Sequence, residues 1–102
     1  MYTYSYVGYI ILNKDWIKKY GSQWRAGRIE VDDGKSHYHI DEYGVFYDIV
    51  QMEKEMLEKN IETSFEDWLF NFTSSNKLSK KEIIDLYEKE TGIKITLLTP
   101  KN

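Results

Sequence analysis

The dipeptide Asp33-Gly34, set between two runs of alternating apolar residues, constrains this chain more than any other feature. A two-residue hairpin turn of type I′ needs φ > 0 at both central positions, which Asn, Asp and Gly supply at least cost. Placing that turn at Asp33-Gly34 opposes Val31 to Ser36, Glu30 to His37, Ile29 to Tyr38, Arg28 to His39 and Gly27 to Ile40. Side chains alternate along a strand, so Ile29, Val31, Tyr38 and Ile40 share one face, and Arg28, Glu30, His37, His39 and Asp41 share the other. A slip of one residue would mix the two sets, so the apolar pattern and the turn agree. Trp24 to Tyr43 is therefore expected to be a hairpin with a core face and a polar face that holds both histidines of the chain.

The flanking segments supply layers for that hairpin. Tyr2 to Leu12 is rich in β-favouring residues and alternates, which predicts a strand with Tyr2, Tyr4 and Tyr6 on one face. Asn13 reads as the N-cap of a short helix from Lys14 to Tyr20, ended by Gly21. After Gly44 the apolar period lengthens from two to about 3.6. Val45, Ile49, Met52 and Met56 form a row with Phe46, Val50 and Leu57 beside it, predicting an amphipathic helix over residues 45–59. Phe46 to Ile49 could instead finish a third meander strand. Thr63-Ser64-Phe65-Glu66 fits a capping box, opening a helix that buries Phe65, Trp68, Leu69 and Phe72 and ends near Ser74. Ser79-Lys80-Lys81-Glu82 is a second box, for a helix running to Thr91 and stopped by Gly92, after which Ile93 to Leu98 reads as a final strand. Together these predict a single α+β domain over residues 1–102: a small, largely antiparallel sheet of about four strands, with three to four helices packed mainly on one face.

Composition narrows the function classes. A chain of 102 residues can bury a modest core without covalent staples, and its 16% aromatic content makes rings a large part of that core. With no cysteine there is no disulfide framework, thiolate metal site or cysteine nucleophile. The opening MYTYSYVGYIIL lacks the basic region and small-residue cleavage site of a signal peptide, and no apolar run reaches membrane-spanning length. A cytoplasmic protein without a membrane partner is expected. The net charge of −3 conceals a segregation: residues 41–67 carry nine acidic and two basic groups, while the segments on either side are each net basic. A weakly acidic whole argues against direct nucleic-acid binding. Usage rich in Lys, Asn, Ile and Tyr suggests an AT-rich genome, that of a Gram-positive bacterium or one of its phages, and the acidic character is analogous to that of small inhibitors from phages and mobile elements.

Three surfaces are candidates for function. His37, His39 and Asp41, at i, i+2 and i+4 on one strand face, offer two imidazoles and a carboxylate, a donor set suited to Zn, Fe or Mn with open positions left for water or substrate. Cα atoms at this spacing lie about 6–7 Å apart, so convergence on one ion requires a curved strand. Asp48, Glu55, Glu58 and Glu62, continued by Glu66 and Asp67, form an acidic stripe able to meet a basic surface on a partner protein, including a nucleic-acid enzyme. Tyr2, Tyr4 and Tyr6 form an aromatic strand face, and tyrosine brings large contact area at low entropic cost. Gly34-Lys35-Ser36 ends like a phosphate-binding loop, but Ile29 stands where that motif needs glycine. No serine sits in a nucleophile elbow. The leading expectation is a non-enzymatic protein-binding module, a small inhibitor or modulator docking through the acidic helical face or the aromatic strand face, with no cofactor. The alternatives are a small metal-dependent protein using His37, His39 and Asp41, and an accessory subunit that homodimerises through an exposed strand.

Overall fold

The computed structural model describes residues 1–11, 14–20 and 23–97. In chain order the elements are β1 (Tyr2–Ile11), α1 (Lys14–Tyr20), β2 (Trp24–Asp32), β3 (His37–Asp48), α2 (Ile49–Glu58), α3 (Phe65–Phe70), β4 (Thr73–Ser74) and α4 (Lys80–Thr91). The strands form an open antiparallel sheet in the order β3-β2-β1-β4, so the fold is α+β. No helix among the described residues is long and apolar enough to cross a membrane. Leu12, Asn13, Gly21 and Leu98, which bear on the predicted ends of the first strand, first helix and last strand, lie outside the described residues.

The alternation read from the sequence decides which face is covered. Tyr4 opposes Val31 and Tyr6 opposes Ile29 across β1 and β2, while Gly27 opposes Val45 and Arg25 opposes Tyr47 across β2 and β3. Directly opposed residues share a face. Onto it pack Ile49 and Met52 of α2, Phe65 and Leu69 of α3, and Ile83, Ile84 and Tyr87 of α4, with Ile93 and Ile95 behind α4. Phe65 is the central ring, meeting Tyr6, Tyr47 and Tyr87 edge-on at 6.1, 6.0 and 5.4 Å. That arrangement sets the positive edge of one ring against the negative face of the next. Gly8 and Gly27 pair directly beneath the Tyr6 ring. The Tyr6 hydroxyl can then donate to the carbonyls of Arg25 and Val45, each at 3.1 Å.

The hairpin register differs from the expected one. Its loop has four residues, Asp33 to Ser36, and the pairs are Asp32–His37, Val31–Tyr38 and Glu30–His39. Carboxylates win the local competition for backbone donors: Asp33 Oδ1 accepts from the N–H groups of Lys35 and Ser36 at 2.8 Å each, and Asp32 Oδ1 from Gly34 at 2.7 Å. Only Gly34 of the two turn residues has positive φ, so no type I′ turn forms. The slip is an even number of residues. Ile29, Val31, Tyr38 and Ile40 therefore still contribute to the core side.

Further along, β3 gains residues on β2. From Glu30–His39 to Ile29–Asp41, β2 advances one residue and β3 two; from there to Gly27–Val45, β2 advances two and β3 four. This bulge carries Tyr43 at φ 57°, an unusual backbone for a non-glycine residue. Beyond it β3 continues to Asp48, so the meander-strand reading of Phe46 to Ile49 is the correct one for all but Ile49, and α2 begins there rather than at residue 45.

Two ends also depart from expectation. The α3 N-cap is Ser64, whose side chain accepts from the Asp67 N–H, and the helix stops at Phe70 so that Thr73 and Ser74 can pair with Thr3 and Tyr2. The second capping box forms as predicted, with Ser79 and Glu82 bonded reciprocally, and α4 ends at Gly92 in the left-handed region. Ile93 to Leu97 does not form a strand. Glu55 and Glu88 carboxylates take the N–H groups of Lys94 and Ile95 at 2.9 Å, leaving one bridge between Leu97 and Tyr47.

Candidate functional site

The outer surface of α2 and the turn after it form the candidate site. Asp48 caps α2, accepting from the Gln51 N–H at 3.0 Å, and Ile49 and Met52 bury its inner face. The helix ends in a Schellman arrangement: Ile61 N–H reaches the Met56 carbonyl at 2.9 Å and Asn60 N–H the Leu57 carbonyl at 3.4 Å. Asn60 takes the left-handed conformation at φ 55°, a role asparagine tolerates better than other non-glycine residues. The reversal brings Ile61 back to Met56. Between them lies an open groove of about 560 Å³, lined by Glu53, Met56, Leu57, Asn60, Ile61 and Glu62.

Leu57 is 81% exposed in that groove, the highest value among the large hydrophobic side chains described, and Val50, two turns earlier on α2, is also exposed. Glu53, Glu58 and Glu62 are exposed, and their side chains make no hydrogen bond or ion pair among the described residues. Lys59 is turned away to the Gly92 carbonyl. The site therefore offers apolar contact beside uncompensated negative charge. The sequence pattern places Leu57 and Val50 beside the buried row and does not single out Glu53, Asn60 or Ile61. The available signal was that Val50 and Leu57 sit one residue beyond Ile49 and Met56, about 100° around the helix from the buried row.

The structure divides the rest of the predicted acidic stripe. Asp48 is a cap and Glu55 holds Lys94. Glu66 does not close a capping box; it bridges Arg25 and Tyr47, receiving Arg25 Nε at 2.7 Å and the Tyr47 hydroxyl at 2.8 Å. Burial first, and then the Glu66 charge, push the Tyr47 phenol well above its ordinary pKa, as they do that of Tyr6, so both remain protonated donors. Asp67 sits in the first turn of α3, where negative charge complements the helix dipole. Of the predicted set only Glu62 lines the groove, and Glu58 follows Leu57 at the end of α2 beside it.

The aromatic strand face is a correction. Tyr4 is buried and Tyr2 and Tyr6 pack against the core beneath the helices, so these rings are not a docking surface. The small size of the core explains it: with few leucines, β1 supplies rings to fill the volume.

The three predicted metal-ligand residues are not brought together. The bulge places Asp41 opposite Ile29, on the helix-covered face, where its carboxylate meets Lys80 Nζ at 2.6 Å. His37 and His39 remain on the open face, 3.3 and 3.9 Å from Glu30, which also pairs with Arg28 at 3.1 Å. Among the described residues no group of three or more His, Asp and Glu side chains could hold a metal ion. Desolvation opposes ionisation of Glu30, but the His37 contact and the Arg28 charge outweigh it and lower its pKa. A cavity of about 370 Å³ runs between this cluster and Phe70, lined also by Thr3 and Ser5.

No family model, curated protein or solved structure matches the chain.

Proposed function

We propose that this domain is a non-enzymatic protein-binding module that docks through the outer surface of α2 and the Asn60–Glu62 turn, acting as an inhibitor or modulator of the protein it binds. The observation that carries the reading is Leu57: a large apolar side chain, 81% exposed, set in a groove between Glu53 and Glu62. Leaving such a group in water forgoes roughly 1.5–3 kcal/mol of burial free energy, which a partner recovers on docking. Unpaired carboxylates around it supply steering and register.

Site-specific photo-cross-linking tests the reading. A photoreactive phenylalanine analogue in place of Leu57 should give one discrete adduct with a host protein. The same analogue in place of Phe70, equally apolar and 73% exposed on α3, should not. Equal adducts from both positions, or none from either, would remove the α2 surface from the account.

A further inference from the structure

Resting on the docking reading above, we infer that the partner presents a basic amphipathic segment: an apolar side chain enters the groove, and flanking lysine or arginine side chains meet Glu53, Glu58 and Glu62. Charge and shape both point this way. Several carboxylates elsewhere in the described structure are matched: Glu30 with Arg28, Asp41 with Lys80, Glu66 with Arg25, and Glu82 within its own capping box. Around the groove Glu53, Glu58 and Glu62 form no ion pair among the described residues, neither with Lys54 on the same helix nor with Lys59, which is bonded to Gly92. An acidic or neutral partner would desolvate these carboxylates without compensation, a cost that selects against it.

The shape adds a repeat. Val50 and Leu57 lie seven residues apart on one helix, so their separation along the axis is about 10 Å. A helical segment laid against α2 would meet both through apolar residues spaced one heptad apart, with its own cations between them. Leu57 would be the anchor, because Met56 and Ile61 already wall its groove.

The probe is a synthetic amphipathic helical peptide of leucine and lysine, compared with the same pattern in leucine and glutamate, titrated into the 102-residue chain by NMR and calorimetry. The lysine peptide should shift amides within residues 53–62, and its affinity should fall by about tenfold or more between roughly 0.05 and 0.5 M salt. The triple variant Glu53→Gln, Glu58→Gln, Glu62→Gln should weaken it about tenfold, the expectation for three exposed ion pairs. Leu57→Ser should weaken it while leaving the melting temperature unchanged. Equal binding of the glutamate peptide, or lysine-peptide binding indifferent to the triple variant, would overturn the inferred chemistry. If the Leu57 cross-link captures a partner whose contact segment is acidic, the chemistry fails and the docking reading stands; no cross-link at all overturns both.

Discussion

The Glu66 carboxylate stands between Arg25 and Tyr47, one oxygen taking the guanidinium at 2.6–2.7 Å and the other the phenol at 2.8 Å. It is a tie between α3 and the sheet, made from a residue the sequence places in an acidic stripe. Glu66→Ala leaves the buried Tyr47 hydroxyl without its acceptor, and should destabilise the fold by about 1–3 kcal/mol. Denaturant unfolding checks this. Glu66→Gln should recover part of the loss, because an amide oxygen still accepts from Tyr47, and neither change should alter the groove.

Asn60 is the hinge on which the groove is built. Its left-handed backbone disfavours most side chains by roughly 1–2 kcal/mol, whereas glycine adopts it freely. Asn60→Gly should leave the melting temperature unchanged or raised, and Asn60→Val should lower it. A melting temperature lowered more by glycine than by valine would contradict the Schellman ending.

The glycine pair tests the sheet. A Cβ at Gly27 would run into the Val7 carbonyl oxygen and lie 2.8 Å from the Tyr6 ring, while one at Gly8 would enter that ring directly. Gly27→Ala therefore demands movement of two strands and should cost at least the roughly 1–3 kcal/mol typical of overpacking. Gly34→Ala, at an open loop tip, meets no neighbour; only its positive φ opposes it, so the loss should be smaller. Paired thermal melts of the two variants give the comparison.

The Glu30 cluster sets a pH dependence with a definite sign. Because the folded state holds this carboxyl below its ordinary pKa, the ionised form is the one stabilised by folding. Its contribution is present above the unfolded-state pKa and disappears as pH falls through the lower, folded-state value. The stability difference between the parent and Glu30→Gln should accordingly shrink on acidification from neutral pH through the carboxylate range. Urea midpoints measured across that range check it; a difference that grows toward acid would contradict the assignment.

Much of the fold was legible because burial and local chemistry agreed. Ser79 and Glu82 form their capping box and Gly92 ends α4 where glycine is needed, all from short-range signals. The hairpin faces agree with the predicted ones as far as Ile40, because the shift in register is even. What was not legible depended on competition between distant groups. Asp33 reads as a turn former by its backbone, yet its side chain gathers the Lys35 and Ser36 amides and lengthens the loop. Asp41 belongs with the histidines by spacing, but the bulge turns it to Lys80 from α4, 39 residues away in sequence. The two-residue β4 carries too little pattern to be read at all. For the site, Glu58 and Glu62 were visible as charge, while the groove needed the fold-back of Ile61, which no periodicity encodes.

Hydrogen exchange on the domain, free and bound to the partner captured at Leu57, tests the central claim most directly. The account predicts slowed exchange confined to residues 53–62, with the open sheet face around Val7, Arg28 and Tyr43 unchanged. Protection of that sheet face with the α2 turn unaffected would contradict it.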